Sequence, residues 1–159
     1  MTEFTAQAIL MKFSQIASFD SNVPLEDRLR GSGWLEQPPG TRGLHREWHN
    51  EEIAAVQYGR GSDSFLEVSI HTTFPDQEDP DSEERLTVEF EDKFERSLAR
   101  CIHTLGSAAF VGSYGDEGFP EDVDAVMVAL WPVGSGVIAL NFKHEDWGVP
   151  FRITVTVGA

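Results

Sequence analysis

Apolar residues recur along this chain at two spacings, and stretches of one spacing alternate with stretches of the other. Between Phe4 and Ala17, Ile9, Phe13 and Ile16 fall at helical spacing and predict an amphipathic helix, although Ile9–Phe13 also fits an N-terminal strand. A second, short helix follows: Pro24, Glu26 and Asp27 suit its first turn, Leu25 and Leu29 its buried side, and Gly31 its end. Gln37-Pro38-Pro39-Gly40 reads as a turn or loop. The spacing then shortens to two, predicting strands over 43–49, 52–58 and 65–71. Leu44, Arg46 and Trp48 oppose His45, Glu47 and His49, while Phe65, Glu67 and Ser69 oppose Leu66, Val68 and Ile70. Asn50-Glu51 and Gly59-Arg60-Gly61-Ser62 suit connections between antiparallel neighbours.

Pro75 to Glu84 is charged and rich in breakers, an exposed loop by composition. The clearest helix spans 90–105, where Phe94, Leu98, Cys101, Ile102 and Leu105 make one stripe and Gly106 ends it. Just upstream, Leu86, Val88 and Phe90 fit either a strand or a helix. Ala108–Gly112 fits a short strand and Tyr114 to Asp124 a loop. Strands are expected at 125–131, 136–143 and 150–157, with Phe151, Ile153, Val155 and Val157 alternating in the last.

The two parts of the chain echo each other. Each reads as a helix followed by a three-stranded meander, with Trp48 and Trp131 near the ends of the first strands. Tyr58 and Phe142 close the second strands, and Leu66-Val68-Ile70 parallels Phe151-Ile153-Val155. The pattern fits either a duplication, with halves 20–74 and 88–159, or two ordinary meanders. Either way the expected fold is α+β. It would be a single domain over 1–159, an antiparallel or mixed sheet of about six to seven strands packed by two to three helices.

Charge changes the picture most. In 159 residues, 27 Asp plus Glu stand against 12 Lys plus Arg, a formal net charge of -15. Such a field repels phosphate backbones and anionic headgroups, which argues against nucleic-acid and membrane-surface roles. It favours encounter with a basic protein. The lone Cys101 excludes an internal disulfide framework. Glu3 and the lack of a basic n-region argue against a signal peptide at Ile9-Leu10-Met11, and no apolar run reaches a membrane span. The expected compartment is the cytoplasm.

The search for chemistry leaves little. His45-Arg46-Glu47-Trp48-His49 lacks the His-Glu order of the zinc proteases. On a strand, His45, Glu47 and His49 would share a face able in principle to hold a metal, but a solvated polar face is the favoured reading. Cys101 lies on an apolar stripe and His103 points off it, which argues against a cysteine nucleophile. Gly59-Arg60-Gly61 and Gly112 to Gly118 match no phosphate cradle. The spacing in Asp76–Glu84 fails the calcium-binding EF-hand pattern. The expectation is a protein that is not an enzyme and uses no cofactor or metal.

The acidic residues gather in three connections. Asp76, Glu78, Asp79, Asp81, Glu83 and Glu84 form one group, and Asp116, Glu117, Glu121, Asp122 and Asp124 a second. Glu145, Asp146 and Trp147 tip the last predicted hairpin, and Phe74, Tyr114 and Phe119 add aromatic surface. Carboxylates steer a basic partner while desolvated aromatics supply affinity. The candidate partner-binding residues are therefore Asp76, Glu78, Asp79, Tyr114, Asp116, Glu117, Phe119, Glu145, Asp146 and Trp147.

With Leu105-Gly106, Leu130-Trp131-Pro132 and the ending His144-Glu145-Asp146-Trp147-Gly148-Val149-Pro150-Phe151, the chain resembles small bacterial immunity proteins. The ending looks like segments of bacterial families found near toxin genes. The resemblance implies a cytoplasmic, monomeric protein that neutralises a cognate toxin by covering a basic surface. The alternative is an acidic secretion chaperone of the type III class, a dimer holding an extended effector segment in hydrophobic grooves.

Overall fold

The computed structural model describes residues 3–39, 45–146 and 148–158. Among them, three helices and eight strands form one antiparallel sheet with helices on one face. Helices α1 (Glu3–Ala17) and α2 (Leu25–Gly31) lead into β1 (Leu35–Glu36), β2 (Arg46–Asn50), β3 (Ile53–Tyr58) and β4 (Phe65–Thr73). Helix α3 (Ser82–Leu105) leads into β5 (Phe110–Ser113), β6 (Met127–Val133), β7 (Gly136–Lys143) and β8 (Phe151–Gly158). The strand order β1-β2-β3-β4-β8-β7-β6-β5 is two meanders joined through their last strands.

The core lies between the sheet and the helices. Ile9, Phe13 and Ile16 of α1 are buried, as the helical spacing requires, and the N-terminal strand alternative is not what forms. Phe90 of α3 sits 6.0 Å from the Phe142 ring and 5.7 Å from that of Phe151. Phe151, Ile153, Val155 and Val157 all point to this core, and the intervening Arg152, Thr154 and Thr156 turn to the face that carries no helix.

The structure differs from the expected elements in two places. The sheet is wholly antiparallel and has eight strands, the extra one being β1, whose two residues pair with Trp48 and His49. A two-residue strand is too short to show any alternation. Helix α3 starts at Ser82, so Leu86 and Phe90 extend its buried stripe and the expected loop is shorter. Glu83 and Glu84, read as loop, are its first turn, where carboxylates favour the positive helix end. The predicted first strand begins at Arg46 in the described chain, and positions 43–44 lie outside the described residues.

The tight β6–β7 turn fixes the end of α1. Gly134 has φ of 56°, and the Ser135 N–H donates to the Ala17 carbonyl at 3.0 Å. A Cβ on Gly134 would lie 2.6 Å from that carbonyl oxygen. Gly134→Ala is therefore expected to cost about 1 to 3 kcal/mol, read as a lower urea midpoint with an unchanged slope. No helix among the described residues is long and apolar enough to cross a membrane.

Candidate functional site

Strand direction decides where each connection emerges. β4 ends at Thr73 opposite Phe151, the first residue of β8, so the 74–81 loop leaves where β8 enters. β7 ends at Lys143, β6 begins at Met127 opposite Phe142, and β5 ends at Ser113 opposite Met127. The 74–81, 114–126 and 144–150 connections therefore all emerge from one end of the sheet. The β2–β3 turn, with Glu51 and Glu52 exposed, emerges there too. Acid-rich segments far apart in sequence thus line a common end.

The loops are shaped by their own carboxylates. Asp76 Oδ1 accepts the Glu78 N–H at 3.0 Å, and Asp79 Oδ1 accepts the Asp81 N–H at 3.0 Å. Asp79 also pairs with Arg85, whose guanidinium holds its carboxyl below the usual carboxylate range. In the second loop Asp116 Oδ2 accepts the Ser113 N–H at 2.7 Å. Asp76, Glu78, Asp116, Glu117, Glu145 and Asp146 are exposed, and Asp79 is half-buried. Tyr114 is 81% exposed and Phe74 69%, so both are available to a partner. Phe119 instead packs edge-on against Phe110 and Tyr114, with centroids 6.3 and 5.9 Å away. Trp147 lies outside the described residues.

Two of the loops are tied together. Glu83 Oε1, in the first turn of α3, accepts the Gly148 N–H at 3.2 Å and lies 3.8 Å from His144 Nε2. The His144 ring stacks on Phe151 at 3.9 Å, fixing the base of the β7–β8 hairpin. A cleft of about 580 Å³ separates the 74–81 loop from Gly148 and Val149, with Asp76, Asp79 and Glu83 on its walls. The third loop is joined through the Val126 N–H, which donates to the Phe142 carbonyl at 2.7 Å.

Behind this end, on the helix-free face, sits a charged cluster that sequence reading missed. Glu67 on β4 has a side chain only 3% exposed, and takes Lys143 Nζ at 2.8 Å and an Arg152 nitrogen at 2.8 Å. The second Arg152 nitrogen reaches Glu145 at 3.4 Å, so the cluster holds the hairpin tip. Burial and the neighbouring Glu67 push the Tyr58 hydroxyl pKa up, while the Tyr58 ring stacks on Phe65 at 5.4 Å. Alternation along 65–71 sets Glu67 opposite Leu66 and Val68, but only the pairing of β4 with β8 and of β8 with β7 brings the two cations to it.

His49 Nε2 meets Glu47 Oε1 at 2.6 Å, and the His45 ring lies 4.5 Å from Tyr58. No group of three or more His, Cys, Asp or Glu among the described residues is arranged to hold a metal ion. Cys101 is buried, and its burial pushes the thiol pKa up to about 12, leaving almost no thiolate near neutrality. What the arrangement offers is an extended anionic surface with exposed aromatic side chains just beyond the strand ends. No family model matches the chain, nor does any curated protein or solved structure.

Proposed function

We propose that this protein is an immunity protein that neutralises a cognate bacterial toxin in the cytoplasm by covering a basic surface. The observation that carries the reading is the convergence of three acidic loops on one end of the sheet. Carboxylates gathered at one end focus a negative field, which speeds capture of a cationic partner and sets its orientation. Tyr114 and Phe74 would supply the apolar contact that a salt-screened charge surface lacks. Such a protein needs no chemistry of its own and binds as a monomer.

The test reverses one exposed charge in each loop: Glu78→Lys, Glu117→Lys and Glu145→Lys, combined. With the toxin encoded beside its gene, the triple variant is expected to associate roughly 10- to 100-fold more slowly. Its rate should also depend less on salt, and protection in co-expression should weaken. Wild-type protection and binding by a correctly folded triple variant would overturn the reading, as would a neighbouring gene product that this protein does not bind.

A second reading, an acidic secretion chaperone, draws on the order of the two joined meanders and the helix-free sheet face. It expects a homodimer that binds an unfolded effector segment. A monomer that binds only a folded domain would count against it.

A further inference from the structure

A second feature shares no residue with the acidic loops. Between α1 and α3 lies a cavity of about 260 Å³, floored by Ile70 of β4 and Val155 of β8 and walled by Leu10 and Cys101. It exists because small residues meet there: Ala6 on α1 and Ser97 and Cys101, one turn apart, on α3. Elsewhere in the core Phe13, Phe90 and Phe94 occupy the space between helices and sheet.

The mouth is cationic in a chain of net charge -15. Arg100 and His103 line it. Lys93 and Arg96 of the same helix pair with Glu89 and Asp92, each one turn earlier. Arg100 has Arg96 in that place, and among the described residues it makes no ion pair or side-chain hydrogen bond. The local field is felt by His71, whose pKa is held down by burial first and then by Lys93 and Arg100. An apolar hollow beside an exposed guanidinium is complementary to a molecule with a short hydrocarbon tail and an anionic head.

We propose that the α1–α3 cavity binds a free amphipathic carboxylate, its acyl chain among Leu10, Ile70, Cys101 and Val155 and its head group on Arg100. The volume lies just below the usual range of ligand pockets, which limits the occupant to a single short chain.

Titration of the full chain with hexanoate, octanoate and decanoate, followed by calorimetry, tests this. Each added methylene should tighten binding about fourfold until the cavity is full, after which affinity should level off. Arg100→Gln, at an exposed position, should fold normally and weaken octanoate about tenfold or more. Octanol should bind the wild type and Arg100→Gln equally. Bound octanoate should also slow labelling of Cys101 by a small apolar thiol reagent. A filling substitution, Ala6→Leu, should abolish binding. No octanoate binding to the wild type, or equal binding to Arg100→Gln, would overturn the proposal, as would affinity that keeps rising with chain length in Ala6→Leu.

Discussion

Glu67→Gln is expected to lower the free energy of unfolding by about 3 to 5 kcal/mol. The Glu67 side chain is 3% exposed and offsets two cations, Lys143 and Arg152, each 2.8 Å away. Glutamine keeps the shape but removes the charge, leaving two partly buried cations facing each other with Glu145 beside Arg152. The loss is not the worth of the cluster, because building it also cost the desolvation of three ions. Replacing all three residues together, with Glu67→Leu, Lys143→Met and Arg152→Met, should restore much of the stability. Urea unfolding of the two variants checks both statements. A loss under about 1 kcal/mol for Glu67→Gln would mean that water screens this cluster as it does surface pairs.

Arg28→Met should be nearly as damaging, with an expected loss of about 3 to 4 kcal/mol. Arg28 is fully buried, yet among the described residues its side-chain hydrogen bonds go to no carboxylate. Its guanidinium donates to the carbonyls of Val23 at 2.8 Å, Asp20 at 2.7 Å and Ile16 at 3.4 Å. These oxygens lie at and just beyond the C-terminal end of α1, where the helix dipole is negative and carbonyls lack intrahelical partners. One planar fork therefore caps α1 and docks α2 against it. Methionine would remove that donor, leaving the Ile16 and Asp20 carbonyls only the Phe19 and Val23 N–H groups and taking the guanidinium from the Val23 carbonyl. Arg28→Lys keeps the charge but presents a single ammonium, so it should recover only part of the loss. Thermal melts of both variants decide the point: full recovery by lysine would show that charge alone, and not the fork, holds this corner.

Both predictions concern groups that the sequence marked poorly. Glu67 alternates with Leu66 and Val68 along its strand, but alternation carries no information about what lies across either face. Arg28 sat among the charges of a short helix, one position before Leu29, and nothing local distinguishes a buried arginine from an exposed one. Helical and strand periods, by contrast, reported well on Ile9, Phe13 and Ile16, on Phe94, Leu98 and Cys101, and on Phe151 to Val157. Those signals come from each element burying one side, so they survive without knowledge of the partner. The same reasoning misplaced the start of α3, because Glu83 and Glu84 belong equally to a solvated loop and to an acidic first helical turn.

The candidate site divides in the same way. Acidity in three connections is a property of the chain, visible before any fold is known. Two of those connections, after β5 and after β7, must share an end, because alternate turns of an antiparallel meander do. The third joins them only because β4 pairs antiparallel with β8; a parallel pairing would have sent it to the opposite end. The cavity between α1 and α3 and the cluster around Glu67 likewise depend on residues brought together from far along the chain. The sequence by itself determined the α+β class, the helices, most of the strands and the charge of each loop, since these follow from local period and composition. Strand order, the convergence of the loops and the partners of buried charges were decided by tertiary pairing, which local patterns do not encode.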